Sequence, residues 1–365
     1  MKKLMVVGII ILLVGVSVPS TGINVEKSNT SYDGKTLYVG GDGPGNYSKI
    51  QAAIDNASGG DTVFVYNGEY HENVIVNKAI SLIGMDKNQT KILGVNGDVV
   101  DIIHNNVLIH GFTISHEPDK RAISCIIINS NNNIIRDNLI FDAYYGIRIN
   151  GYNNKILTNK IKDCFILIAL SHSCLNNISE NIFLDSCQGI IYLAEYCDHN
   201  YISRNYINCN GFIGIRGAHY NVFELNDIIH CRLISLSSSY LAFNFYNISY
   251  GNVFKKNNLH GCEEFLLKYY SYYPHSLFIF NVLTFNGRLT KFNRNYYSKF
   301  QGIRPKRILG FLEFEFIIND FTSYSIKIPY LHIDRNPKRK PYDIPVINAQ
   351  SIERNCIEGF DGYVK

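Results

Sequence analysis

The chain has 365 residues, 46% of them hydrophobic, and a formal net charge of +4, so it can bury a large core. The charge is small and scattered, apart from Arg304-Pro305-Lys306-Arg307 and Lys338-Arg339-Lys340, which excludes the basic footprint of a nucleic-acid binder. Nine cysteines is an odd count, so at least one thiol stands outside any disulfide within the chain.

Residues 1–22 read as a secretory signal: Met1-Lys2-Lys3, then an apolar run from Leu4 to Val18, then Pro19-Ser20-Thr21-Gly22. The run is shorter than the ~20 residues of a spanning helix. An extracytoplasmic protein follows, secreted or held at the cell surface, with membrane contact only through this signal or an uncleaved anchor. Residues 23–35 form a polar linker, and 36–97 an N-terminal cap with the first coils. Within the cap, Ile50, Ala53 and Ile54 fall at helical spacing behind Ser48, which predicts a short capping helix with a serine N-cap. Asp61-Thr62-Val63-Phe64-Val65-Tyr66 and Val74-Ile75-Val76 begin the strands.

From residue 98 to 300 one phrase recurs: Asn, two on an aliphatic or Phe, five on Asn, seven on an aliphatic or Phe. Its copies start at Asn133, Asn154, Asn176, Asn200, Asn221 and Asn252, so successive differences are 21, 22, 24, 21 and 31 residues. Such a period marks a solenoid. A second phrase follows in each copy, as in Gly146-Ile147-Arg148-Ile149 and Leu167-Ile168-Ala169-Leu170. Residues two apart share a strand face, and a coil of about 22 residues cannot bury that face alone. Stacking then sets Ile135 over Ile156, Ile178 and Ile202, and Asn138 over Asn159, Asn181, Asn205, Asn226 and Asn257, each amide bonding the next at the ~4.8 Å strand spacing. The expected fold is all-β, a parallel β-helix. The outward row of the second phrase is expected to be Arg148, Ala169, Ile191 and Arg216, a row without carboxylates. The row Asp137, Thr158, Glu180, Arg204 is expected to be a surface charge ladder.

Two longer repeats, 31 residues from Asn221 to Asn252 and 29 from Asn252 to Asn281, carry aromatic insertions on one edge. Residues 301–345 make a β-rich C-terminal cap, in which Phe311–Ile318 alternates as an amphipathic strand, and 346–365 are a tail. Cys164, Cys187, Cys209, Cys231 and Cys262 recur four to six residues after the second Asn and are expected to stack in one turn, as buried thiols or as disulfides between coils.

Leu37-Tyr38-Val39-Gly40-Gly41-Asp42-Gly43-Pro44-Gly45, Gly59-Gly60-Asp61-Thr62-Val63-Phe64-Val65, Ile80-Ser81-Leu82-Ile83-Gly84 and the Asn-x-Ile-x-x-Asn-x-Ile repeats resemble the pectin-lyase-like β-helix superfamily. Within it they resemble the NosD-type, carbohydrate-binding and sugar-hydrolase branch found in secreted archaeal surface proteins. Asn295-Tyr296-Tyr297-Ser298 and the stretch Asp334–Ile344 are similar to that branch's closing phrases, with Tyr where the branch has Trp. The resemblance implies a right-handed parallel β-helix. It leaves function open, because the superfamily hosts lyases, hydrolases, epimerases and binding proteins.

Three groups of residues could carry chemistry. Asp142, Asp163 and Asp185 each lie four after the second Asn of successive repeats, a stack that suits calcium or a glycosidase acid pair, or else turn formation. His172, Cys174, Cys197, His199 and His219, with Asp198, cluster before the first Asn. Such a set suits copper or zinc, the resemblance adding copper-site assembly, and a Cys174–Cys197 disulfide is the alternative. Tyr240, Tyr246, Tyr269, Tyr270, Tyr272 and Tyr273 on the insertions suit sugar rings, or else cover the solenoid flank. The leading expectation is a non-catalytic surface protein that binds polysaccharide or cell-surface glycan and requires no cofactor. The alternatives are a polysaccharide lyase or glycoside hydrolase, and a copper-handling accessory protein.

Overall fold

The computed structural model describes residues 34–116, 123–186, 188–231, 233–237, 249, 251–260, 265–271, 291–293, 295–297, 306–319, 322–334, 337–338 and 340–344. The signal at 1–22, nearly all of the linker at 23–35 and the tail at 346–365 lie outside the described residues. The fold is a right-handed parallel β-helix whose coils each contribute a strand to three faces.

The first face is an 11-stranded parallel sheet running from Thr36–Val39 to Lys291–Asn293. Its central residues Ile135, Ile156, Ile178, Ile202, Phe223 and Phe254 pair rung on rung and are all buried. Phe223 and Phe254 stack with ring centroids 4.4 Å apart, so the larger ring replaces Ile without breaking the column. Each such side chain contributes about 1.5–3 kcal/mol by leaving water. The second and third faces are separate in most coils but continuous in two, where the 11-residue strands Leu139–Ile149 and Lys160–Leu170 bend across both.

Corners between faces need a residue that reverses the chain locally. The residue before the second Asn is left-handed in every copy: Asp137, Thr158, Glu180, Arg204, Leu225 and Lys256 have φ between 52° and 60°. The expected charge ladder is therefore first a column of corner residues, although Arg204 and Glu180 do approach to 3.8 Å. The buried Asn that follows each corner residue supplies the partners which the turned backbone lacks. Asn181 Oδ1 accepts the backbone N–H of Asn159 at 2.9 Å, and Asn181 Nδ2 donates to the Ile156 carbonyl at 2.8 Å. The same exchange links Asn138, Asn159, Asn181, Asn205, Asn226, Asn257 and Asn295. A parallel column links Asn133, Asn154, Asn176, Asn200, Asn221 and Asn252.

Three expectations need correction. The coil after Asn257 spans 38 residues and resumes at Asn295, and Val253 pairs with Lys291. Asn281, which lies outside the described residues, is thus not the next step of the ladder. The helix Ile50–Asn56 does cover the end of the core with Ile50, Ala53 and Ile54, but its N-cap position is Lys49, without a side-chain cap bond. Its first N–H groups are instead met by Glu72 of the adjoining coil, whose carboxylate accepts from Ile50 at 2.8 Å and Gln51 at 3.0 Å. Cys174 and Cys197 are both free thiols, so the alternative disulfide is not formed. Cys164, Cys209 and Cys231 are buried free thiols, joined by Cys125, while Cys187 and Cys262 lie outside the described residues. The alternating C-terminal stretch is the strand Lys306–Asn319, paired antiparallel with Thr322–Asp334.

Candidate functional site

On the third face, alternation puts Val100 and Ile102, Ile126 and Ile128, Ile147 and Ile149 in the core and sets the residues between them on the opposite side of the strands, where Asp101 and Arg148 are half-buried and Ile127 is buried. Register pairs Asp101 with Ile127, Ile127 with Arg148, Arg148 with Ala169, Ala169 with Tyr192, and Tyr192 with Gly214. This corrects the expected row. Ile191 points inward and is fully buried, Tyr192 takes its place, and a carboxylate, Asp101, stands two rungs below Arg148. The missed signal was the Ile-x-Ile alternation itself, which extends back through Ile126-Ile127-Ile128 to Val100-Asp101-Ile102.

Polar groups on this column are held in fixed geometry. Asn129 Nδ2 donates to Asp101 Oδ1 at 3.1 Å, and Asn150 Nδ2 donates to Asn129 Oδ1 at 2.9 Å, which makes an amide strip beside the column. Burial pushes the Asp101 carboxyl up, against the pull of Asn129 and Arg148, and Asp98 adds to the rise. The Arg148 guanidinium lies over the Tyr145 ring, 5.9 Å from its centroid. Its Nε is buried and has no hydrogen-bond partner among the described residues. Burial also raises the Tyr145 phenol, helped by Tyr144 and Tyr192 and opposed by Arg148.

Aromatic rings flank these groups. Tyr144 packs on Phe165 with centroids 4.6 Å apart and edge-on to Tyr145 at 4.7 Å. Tyr192 meets Phe212 edge-on at 6.4 Å. Gly214 makes that possible, since a Cβ there would stand 2.7 Å from the Tyr192 ring and 2.9 Å from the Phe212 ring. At the far end Arg216 pairs with Glu195 at 3.5 Å. The face thus offers rings, amides, a carboxyl and a guanidinium on successive coils, the mixture by which proteins grip a polyhydroxylated ring.

The residues singled out from the sequence are distributed differently. Asp142, Asp163 and Asp185 share a left-handed backbone, with φ of 69°, 50° and 50°, and so occupy corners. Asp142 lies 3.8 Å from His116, and Asp163 pairs with its neighbour Lys162. The histidine and cysteine cluster resolves into stacked pairs, His172 on Tyr196 at 5.2 Å and His199 on Tyr220 at 5.1 Å. His219 Nδ1 is engaged with Asp198 Oδ1 at 2.9 Å, and the Asp198 carboxyl is held low because these bonds outweigh its burial. Burial pushes the Cys197 thiol up to about 12. Among the described residues no three His, Cys, Asp or Glu side chains converge as a metal site. Tyr269 and Tyr270 belong to the strand Phe265–Ser271, and Tyr240, Tyr246, Tyr272 and Tyr273 lie outside the described residues.

The chain is similar to an alginate lyase from Paenibacillus sp., at 11% identity over 65% of this chain and 93% of that one, with a TM-score of 0.44. It is also similar to the catalytic domain of a GH87 alpha-1,3-glucanase in complex with nigerose, at 13% identity over 72% and 55% of the two chains and a TM-score of 0.48. A third similar structure is a PL6 family polysaccharide lyase from Pseudopedobacter saltans, at 15% identity over 68% and 75% and a TM-score of 0.41. No curated protein matches the sequence. The profile of the family described as periplasmic copper-binding protein (NosD) matches residues 54–264, more than half of the chain, including every coil that carries the Arg148 column. The chain therefore belongs to the NosD family of β-helix proteins.

Proposed function

We propose that this protein acts outside the cytoplasm as a glycan-binding β-helix, and that its binding surface is the outward column around Arg148. The observation that carries the reading is the guanidinium of Arg148, set over Tyr145 on a column whose coils also carry the Asn129–Asn150 amides and, two rungs on, Tyr192 edge-on to Phe212. Rings stack on the apolar face of a sugar, and fixed amides and charges select its hydroxyls. The periplasmic description of the family supports an extracytoplasmic site of action. Retention of the full chain on a panel of immobilised polysaccharides tests this. The parent should be retained by at least one polymer, and the Tyr145→Ala, Tyr192→Ala double variant should lose roughly tenfold in affinity while melting close to the parent. Equal retention of the two proteins would remove the assignment.

A hydrolase or lyase is the second reading, favoured by one observation. Asp101 keeps its proton to a higher pH than an ordinary aspartate, as a general acid must, and stands on the same column as a cation. Release of reducing ends or unsaturated ends that stops in Asp101→Asn, but not when Asp142, Asp163 and Asp185 are all changed to Asn, would favour it. Copper, named in the family's description, does not fit the described residues, since no three His, Cys, Asp or Glu side chains among them converge on one point.

A further inference from the structure

We infer that Asn56 and Asn88 carry N-linked oligosaccharide, transferred from a lipid-phosphate-linked donor as the chain is exported. The inference rests on the extracytoplasmic reading, since this modification belongs to exported chains. The acceptor pattern Asn-x-Ser/Thr occurs six times, at Asn29, Asn46, Asn56, Asn88, Asn177 and Asn247. The interior contributes none of them. Every buried asparagine of the two columns is followed, two residues on, by an aliphatic or aromatic residue, so the amides that join the coils are closed to modification.

Surroundings separate the six. Asn56 ends the helix Ile50–Asn56 and is exposed, as is Ser58. Asn88 is exposed in the turn between the strands Ser81–Gly84 and Thr90–Gly94. Asn56 Nδ2 donates to the Ala52 carbonyl at 2.9 Å, and Asn88 Nδ2 to Asp86 Oδ1 at 3.2 Å. An amide has two N–H groups and keeps one after a sugar is joined, so neither bond need be lost. Asn46 differs, because its Nδ2 closes its own turn on the Gly40 carbonyl at 2.6 Å and its amide lies against Gly43, where a Cβ would stand 2.9 Å from both amide atoms. Asn177 lies in the strand Asn177–Ser179 between Lys155 and Tyr201 of the neighbouring rungs, with its Oδ1 buried. Asn29 and Asn247 lie outside the described residues.

The transfer joins Nδ2 to the anomeric carbon of the first sugar as that carbon's bond to the lipid phosphate breaks. The phosphate leaves with the bonding electrons, and the amide gives up one proton. In the folded chain the Thr90 hydroxyl is buried and donates to Asn67 Oδ1 at 3.1 Å, which places the transfer to Asn88 before the coils close. Ser58 stays open afterwards. Neither acceptor lies on a strand of the third face, so the sugars leave the Arg148 column clear. At Asn56 a bulky hydrophilic chain stands beside the helix that covers the end of the core, where it opposes end-to-end association.

Peptide mass mapping of the full chain, isolated from the cells that produce it after separation of their compartments, tests the inference. Peptides carrying Asn56 and Asn88 should bear oligosaccharide mass, and those carrying Asn46 and Asn177 should not. Ser58→Ala should abolish the modification of Asn56 although the asparagine remains, Ser58→Thr should keep it, and Asn88→Gln should remove the second sugar. The Ser58 variants should melt close to the parent, because that side chain is exposed. Bare peptides at both positions, in protein recovered outside the cytoplasm, would overturn the inference and leave the extracytoplasmic reading standing. Recovery of the chain in the cytoplasm would overturn both. Sugar on Asn177 would overturn the selection by surroundings on which the inference depends.

Discussion

Asp334 Oδ2 accepts the backbone N–H of Asn295 at 2.9 Å, and so ends the amide column that begins where Asn138 Oδ1 accepts from Phe112. Every amide in the column hands its unmet N–H to the next coil, and a carboxylate with no N–H to hand on is a natural terminator. Asp334 is fully buried. Asp334→Ala should cost about 1–3 kcal/mol by leaving the Asn295 donors unmet. Asp334→Asn, which keeps an acceptor, should cost less. Midpoints of chemical denaturation check both, and equal losses would show that the acceptor is not what matters.

The interior of the column makes a related but separate prediction. Asn181→Ala removes the acceptor for Asn159 and the donor to Ile156 at once, and should lower stability by about 1–3 kcal/mol. Glycan retention should not change in the folded fraction, because the amide is buried between the coils. A variant that melts like the parent yet loses ligand would reassign the ladder from scaffold to site.

Thr158 is the β-branched member of a left-handed column, with φ of 56°. Branching at Cβ is poorly tolerated there, whereas Asn enters this conformation readily. Thr158→Asn should therefore raise stability by up to roughly 1 kcal/mol, visible as a higher melting temperature. A lower melting temperature would mean that the Thr158 hydroxyl, which donates to the Leu157 carbonyl at 2.7 Å, outweighs the backbone gain.

Glu224 sets an acid limit on stability. Burial raises its carboxyl, but Lys255 and Lys256, each at 3.0 Å, and the Tyr201 hydroxyl at 2.8 Å outweigh this and hold it below the ordinary range. A carboxyl lowered in the folded state contributes stability that is complete above its unfolded pKa and is lost as pH falls through the folded value. Glu224→Gln should flatten that part of the stability profile below the ordinary glutamate pKa and destabilise the protein at neutral pH. A profile parallel to that of the parent would show that the two lysines gain nothing from this carboxylate.

The sequence by itself determined the β-helix, its interior and its ladder. Stacking converts a period in the chain into a column in space, so counting from each Asn placed Ile135 over Ile156 and Asn138 over Asn159 without further information. Counting failed where coil length changes. The stretch from Asn181 to Tyr192 is one residue longer than that from Asn159 to Ala169, which put Tyr192 rather than Ile191 opposite Ala169, and a 38-residue coil carried the second Asn column from Asn257 to Asn295. Tertiary structure alone decided the relations that run between coils on the outside: Glu72 capping a helix that Ser48 does not cap, Asp334 closing the amide column, and Arg148 standing two rungs from Asp101. The physical reason is that inward side chains are selected by one shared environment and therefore repeat. An outward side chain is fixed by whichever neighbour its own length and the local corner allow it to reach, and no period records that.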